Sequence, residues 1–202
     1  MAGPDVAFWQ DKFDSGVTPW DRGAASPQLG AWIGSGRLAP CRIAVPGCGA
    51  GHEVEQLARA GFDVVAVDYA PAAVERTRER LARAGLAARV ERADVLDWAP
   101  AAPLDAVYEQ TCLCALHPDH WVGYGRRLHA WLRPGGELFL LMMQVPRPGA
   151  AEGRIEGPPY HCDPNAVRAL LPAPRWDWPA PPYVRVPHPM GAAELAAVLR
   201  RR

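Results

Sequence analysis

Residues 42–51 read RIAVPGCGAG. A short apolar run, Ile43 to Val45, meets Pro46. Gly47, Gly49 and Gly51 follow, and then HEVEQLARAG (52–61), whose Val54, Leu57 and Ala58 recur with helical period. This is a strand, a glycine turn and a helix. Glycine in such a turn permits backbone angles closed to other residues and lets a ligand approach the main chain. Downstream, FDVVAV (62–67) reads as a buried strand ending at Asp68. An acid at the end of the second strand of such a unit can accept both hydroxyls of a ribose.

The pattern repeats outward. PAAVERTRERLARAG (71–85) is a helix with proline at its start and Gly85 past its end. ARVERAD (88–94), LDAVYEQT (104–111) and ELFLLMMQV (137–145) are further strands, the last the most apolar and expected to be central. A helix over 118–131 and another over DPNAVRALL lie among them, and RWDW (175–178) and ELAAVL (194–199) are expected to pair antiparallel. Seven strands alternating with helices predict an α/β fold: a doubly wound, mostly parallel, seven-stranded sheet. Such sheets bind ligands beyond the carboxyl ends of their strands. The amino-terminal stretch differs. VAFWQDKFDSG (6–16) reads as a short helix closed by Gly16, and SPQLGAWIGSG as a second with Ser26 as N-cap. Residues 1–40 are therefore set apart as a helical segment on a core of 41–202, the whole, 1–202, being one domain. Prolines crowd residues 146–190, where long ordered loops are expected.

The chain has 202 residues with 22 basic and 22 acidic side chains, a net charge of 0. That balance argues against binding nucleic acid or a membrane by bulk charge. No apolar stretch approaches the ~20 residues of a spanning helix, no signal peptide is recognisable, and five cysteines cannot all pair. A reducing, cytoplasmic setting is expected, with a small molecule as partner and a monomeric chain.

The loop is G-x-G-x-G with His52 following, not the G-x-G-x-x-G of dinucleotide folds, and it lacks the Lys-Ser/Thr of a nucleotide-triphosphate loop. Glu53 and Glu55 in the first helical turn would repel phosphate. A ribose-bearing cofactor without phosphate fits better, and S-adenosylmethionine is one. Asp94, ending strand three, can accept from an adenine amine, and the Val95 backbone can pair with the ring edge. The competing reading is a glycine-rich turn without a ligand, with Asp94 a loop or cap residue.

Four segments carry a resemblance: FWQDKFDSGVTPWDRGAASPQL (8–29), AVPGCGAGHEV (44–54), VVAVDYAPAAVER (64–76) and EGPPYHCDPNAVRALL (156–171). Together they resemble the thiopurine S-methyltransferase superfamily. GVTPWDRG looks most similar to its thiol and halide branch. The resemblance implies a Rossmann-like methyltransferase whose amino-terminal segment lies over S-adenosylmethionine as a lid. It places Trp9, Phe13 and Trp20 on that lid, Gly47 and Gly49 at the methionine part, Asp68 at the ribose, Asp94 with Val95 at the adenine, and Gln110 facing the cofactor. It implies a small soft acceptor: thiol, hydrosulfide, halide or selenium species. An O- or N-methyltransferase of a small metabolite is the alternative, and a cofactor-binding module without catalysis a third reading. Where the thiopurine branch has Asp-Arg after strand four and the thiol branch Asp-Tyr, this chain has Glu109-Gln110. The missing guanidinium argues against an anionic heterocycle as acceptor.

Aromatic faces suit a sulfonium, and Trp9, Phe13 and Trp20 are candidates for that contact. Phe8 and Trp32 are expected to anchor the segment in the core. Candidate bases for a thiol are Glu109, His120, His117 and His161, each competing with a plain backbone-bonded reading. The C-x-C-x₂-H-x₂-H of 112–120 has the wrong spacing for structural zinc, so no metal is expected, and Cys112 and Cys114 read as apolar filler or pocket wall.

Overall fold

The computed structural model describes residues 3–202; Met1 and Ala2, expected in the lid segment, lie outside it. Strands β1 (Arg42–Pro46), β2 (Asp63–Asp68), β3 (Arg89–Arg92), β4 (Leu104–Gln110) and β5 (Leu132–Gln144) run parallel in the order β3-β2-β1-β4-β5. Beyond β5, β8 (Ala193–Arg201) pairs antiparallel, with Met143 opposite Glu194. Chain order reverses between β1 and β4, so the crevice beyond their carboxyl ends is where a ligand belongs.

Among the described residues the sheet has eight strands, one more than the seven expected from the sequence. Both β6 (Trp176–Asp177) and β7 (Val184–Pro187) lie along the outer edge of β8, one at each end of it. The seventh position is thus filled by two short strands. Pro179, Pro181 and Pro182 separate them, and proline cannot donate to a ladder. The expected pairing of RWDW with the last strand is present, reduced to two residues.

Strand β5 shows why helices cover both faces. Leu138, Leu140 and Met142 point into a cluster with Tyr124, Leu128 and Trp131. Phe139 and Leu141 point into another with Leu29, Trp32, Val54 and Leu57. A strand buried on both sides reads as one apolar run. The first cluster is closed by α6 (Trp121–Trp131), whose buried Trp121, Tyr124, Leu128 and Trp131 form a helical stripe. The second is closed by α2 (Pro27–Gly34), capped by Ser26, and α3 (His52–Arg59). On the same pattern α4 (Pro71–Ala84) buries Ala73, Val74, Thr77 and Leu81. The expected helix over DPNAVRALL is α7 (Pro164–Leu170), capped by Asp163. Among the α-helices, the single turn α5 (Cys112–Ala115) has no signal in the sequence reading.

Gly51 illustrates how tightly the glycine loop is set. Its φ is +75°, and a Cβ there would lie 2.7 Å from Thr77 Oγ1 and 2.9 Å from Thr77 Cγ2. Gly61 also has positive φ, with nothing within 4 Å of a built Cβ. Gly51→Ala therefore combines backbone strain with overpacking and should lose more than about 2 kcal/mol of stability, against about 1 kcal/mol for Gly61→Ala. Urea midpoints of the two variants check this; equal losses would remove the contact with Thr77 from the account.

Candidate active site

The carboxyl ends of β1, β2 and β4, together with the turn after β3, open on a cavity of about 720 Å³. Trp9, Phe13, Trp20, Gly47, Gly49, Asp68, Asp94 and Val95 all line it. Eight residues spread over 87 positions of sequence are thus brought to one wall.

Asp68 is set by its own neighbours. Its Oδ2 accepts from Gly49 N and its Oδ1 from Ala70 N, both at 3.0 Å. Burial pushes its carboxyl upward, opposed by those backbone donors. It therefore holds the glycine loop as well as facing the cavity. From the other side Thr77 Oγ1 donates to Gly49 O at 3.0 Å and Arg80 Nε to Ala50 O at 2.7 Å. Asp94 Oδ1 accepts from Leu96 N at 2.8 Å, which shapes the turn after β3.

The amino-terminal segment crosses the cavity on α1 (Val6–Asp14), capped by Asp5. It is fastened to the start of α4: Tyr69 Oη donates to Pro4 O, Ala72 N to Gln10 Oε1, and Arg76 Nη2 to Phe13 O. Trp20 stands edge-on to Trp9 and Phe13, with centroids 5.4 and 6.0 Å away. Trp32 is core, as expected, against Tyr108 and Phe139. Phe8 is not: it is 37% exposed on the cavity rim, because its position on α1 faces away from α4.

Gln110 sits apart from the other eight. It does not line the large cavity but a polar pocket of about 70 Å³ that shares Trp20, Gly47, Gly49 and Thr111 with it. Its side chain is fully engaged. Tyr108 Oη donates to Gln110 Oε1 at 2.6 Å, and Gln110 Nε2 donates to both oxygens of Glu194 at 3.0 Å. Arg22 Nη2 reaches the same carboxylate at 3.0 Å. Burial holds Glu194 up at about 7 despite these partners. Arg22 Nε is buried without a partner. Glu53, half-buried, accepts from Ser26 N at 3.0 Å, and Asp21 meets His52 Nε2 at 2.9 Å. This pocket offers buried donors and acceptors of both charges within one small volume.

Of the candidate bases, His120 and His117 line the large cavity. His117 Nδ1 accepts from Asp119 N, and His161 Nδ1 from Val145 N, the plain backbone-bonded reading in both cases. Glu109 lies outside the cavity lining and is wholly enclosed, its Oε1 accepting from Leu113 N at 2.6 Å. Alternation along β4 explains this: Gln110 faces one side of the sheet, so Glu109 faces the other. Cys112 and Cys114 are buried wall residues of the cavity. Among the described residues no three His, Cys, Asp or Glu side chains converge as a metal site.

Arg22, Tyr108, Glu194 and Thr111 escaped the sequence reading. Arg22 stands in the quoted GVTPWDRG, where its charge was the available signal. Glu194 reaches the site only through the register of β8. Among the described residues Thr111 is the non-glycine residue with positive φ, 64°, and it lines both pockets.

The match to known proteins agrees with this geometry. The model of the family described as thiopurine S-methyltransferase matches residues 4–178. A probable thiol methyltransferase of Arabidopsis thaliana is 32% identical over 81% of this chain and 70% of its own length. Thiocyanate methyltransferase 1 of the same plant is 28% identical over the same shares. In fold, the chain superposes on the 1,6-didemethyltoxoflavin N1-methyltransferase of Burkholderia thailandensis with a TM-score of 0.75 and 22% identity, over 97% of this chain and 86% of the other. The chain belongs to the thiopurine S-methyltransferase family, and is an enzyme that takes its methyl group from S-adenosylmethionine.

Buried acids give the fold a definite pH dependence. Glu109 is held up at about 8 and Glu194 at about 7, mainly by burial, against 4.5 ordinarily. A raised carboxyl contributes its full stability below the unfolded value and loses it as pH rises to the folded value. His188, buried beside Arg22, is lowered to about 4 and acts oppositely below about 6.5. Between about pH 6.5 and 8 the acids alone act, so the melting temperature should fall. Glu109→Gln should flatten that decline, removing up to about 1.4 kcal/mol per pH unit. Thermal melts across this window check it, and an identical slope in the variant would contradict the assignment.

Proposed function

We propose that this enzyme methylates a small soft nucleophile: a thiol, hydrosulfide, halide or selenium species. The observation that carries the reading is the wall of the cavity beyond Thr111. It holds Cys112, Cys114, Met143, Met190, Pro158 and Pro159, and the large cavity has no arginine in its lining. Its cation, Lys12, is drawn off over the Phe8 ring at 5.4 Å. An anionic heterocycle would meet no guanidinium there, whereas a compact polarisable acceptor suits sulfur and hydrocarbon walls.

The residues present fit the donor. Arg22 Nε is a buried donor lacking a partner beside Gly47 and Gly49, as a cofactor carboxylate requires, and Glu53, Glu194 and Asp21 supply acceptors for its amine. In front of Gly49 a Cβ would meet only Phe13, at 3.9 Å, so the loop leaves room for a ligand against its backbone. Asp68 accepts the ribose hydroxyls, and Asp94 with the Val95 backbone takes the adenine. Trp9, Phe13 and Trp20 present ring faces and edges to the sulfonium, and the amino-terminal segment that carries them, part of the expected 1–40 unit, serves as its lid. When bound, S-adenosylmethionine supplies an electrophilic methyl with its own leaving group. The protein's contribution is alignment and exclusion of water. Five free cysteines support a cytoplasmic setting, and no helix among the described residues is long and apolar enough to cross a membrane. We take the acting species to be a monomer.

A panel of acceptors with purified protein, read by S-adenosylhomocysteine release, tests the reading. Alkyl or aryl thiols, or hydrosulfide, should exceed thiopurines by at least about tenfold in kcat/KM, roughly 1.4 kcal/mol. Preferred turnover of a thiopurine, or of an oxygen or nitrogen acceptor, would overturn it. For the donor, Arg22→Met and Asp68→Asn should each weaken S-adenosylmethionine by about 1.5–3 kcal/mol in calorimetry, with melting curves confirming that both fold. Unchanged affinity would withdraw that residue's assignment.

A further inference from the structure

Four residues line both pockets: Trp20, Gly47, Gly49 and Thr111. Of the four, Thr111 alone has a side-chain oxygen. Its backbone is also set apart. At twelve other positions among the described residues φ is positive, and all twelve are glycines. Thr111 takes its 64° with a branched Cβ, an angle that glycine adopts freely and a β-branched residue holds only under constraint from its surroundings. The turn into α5 does not call for a hydroxyl. The bond that ties this turn runs from Cys114 Sγ to the Thr111 carbonyl at 3.3 Å, and any residue at 111 offers that carbonyl. The threonine side chain is therefore unexplained by structure alone.

A hydroxyl has one proton to donate and two lone pairs. The Thr111 proton is committed: Oγ1 donates to Gln110 O at 2.6 Å. What the side chain brings to the two pockets is thus an acceptor oxygen. Its place is where the donor's sulfur comes to lie. With the amino-acid end against Arg22 and Glu53 in the small pocket, and the adenosine against Asp68 and Asp94 in the large one, the atom that joins them sits where the two pockets meet. Cys112, the next residue along the chain, begins the acceptor wall.

We propose that Thr111 is a catalytic residue whose Oγ1 accepts from the C–H groups of the sulfonium methyl and keeps that methyl aimed at the acceptor wall. This rests on the placement of the donor given under the proposed function. The C–H groups beside a positively charged sulfur are polarised, and such groups are weak, directed donors to oxygen. Held on one oxygen, the methyl is set for an in-line approach, which is the alignment the reaction needs. Thr111 exchanges no proton. The electron pair of the acceptor anion forms the bond to the methyl carbon, the bond from that carbon to the donor sulfur breaks, and its pair stays on that sulfur, leaving a neutral thioether. The contact with Oγ1 depends on the methyl and on the positive charge, and the spent donor has neither. S-adenosylhomocysteine therefore gains nothing from this oxygen, and Thr111 distinguishes the charged donor from the product that must leave.

The test compares the two forms of the donor. S-adenosylmethionine and S-adenosylhomocysteine are titrated by calorimetry into wild type, Thr111→Val, Thr111→Ser and Arg22→Met. Valine keeps the branch and the size and removes the oxygen. The ratio of S-adenosylmethionine to S-adenosylhomocysteine affinity should fall at least about threefold in Thr111→Val and stay near wild type in Thr111→Ser, whereas Arg22→Met should weaken both ligands alike. With an acceptor that the wild type turns over, kcat should fall at least about tenfold in Thr111→Val and recover in Thr111→Ser. An unchanged ratio or an unchanged kcat in Thr111→Val, or an equal loss in Thr111→Ser, would overturn the role of Oγ1 and leave the donor's placement standing. If Arg22→Met binds both ligands as tightly as wild type, the placement falls and takes the role of Thr111 with it. Should Thr111→Val not fold, Thr111→Ala carries the same comparison.

Discussion

The backbone of residues 47–51 is held from two sides at once. Asp68 accepts from Gly49 N, while Thr77 and Arg80 donate to the carbonyls of Gly49 and Ala50. Three glycines at positive φ make that possible. Each serves a different neighbour: Gly51 admits the Thr77 side chain, Gly47 the sulfur of Cys112, and Gly49 leaves room in front of itself. Because α4 grips the loop and α1 grips the start of α4, the amino-terminal aromatics are positioned relative to the loop through one helix. That chain of contacts sets one side of the cavity, and Met143, Pro158, Pro159 and Met190 close the other.

Much of this was legible in the sequence, for a definite reason. The loop, Asp68, Asp94 and Val95 sit at strand ends, and period and punctuation locate strand ends well. Trp9, Phe13 and Trp20 were readable through the family resemblance. What stayed hidden depends on registry across the sheet or on which face a residue presents. Glu194 lies on an antiparallel strand arriving from the far end of the chain, and nothing local marks it as a partner of Arg22 and Gln110. Phe8 and Trp32 are both aromatic residues of amino-terminal helices, yet one lies on the rim and the other in the core. The division of one edge position between β6 and β7 was hidden by the prolines that cause it.

The two connected pockets divide the labour by dielectric. The larger is walled mainly by hydrocarbon, aromatic and sulfur atoms, where a cation is best met by ring faces. The smaller is lined by Arg22, Asp21, Gln110 and Glu53, where a dipolar group finds opposite charges already arranged. A molecule that is cationic at one end and an amino acid at the other can satisfy both pockets. A dinucleotide would set its phosphates against Glu53 and Asp21. The electrostatic layout therefore supports the same cofactor as the loop spacing, by an independent route.

Glu109 and Gln110 acquire their meaning from the pleat. As a pair of letters they look like the loss of a charged acceptor clamp. In the fold the pleat sends them to opposite sides of β4, so they never act together. Gln110 is spent holding Glu194, and through it Arg22, at the polar pocket. Glu109 is sent inward, wholly enclosed, where it accepts from Leu113 N at the start of the α5 turn. An arginine in place of Gln110 would bring a second guanidinium beside Arg22 against one carboxylate. It would also lose the acceptor that receives the Tyr108 hydroxyl. Exchanging this single residue for the arginine of the thiopurine branch would therefore unsettle the polar pocket before it could recruit a new acceptor.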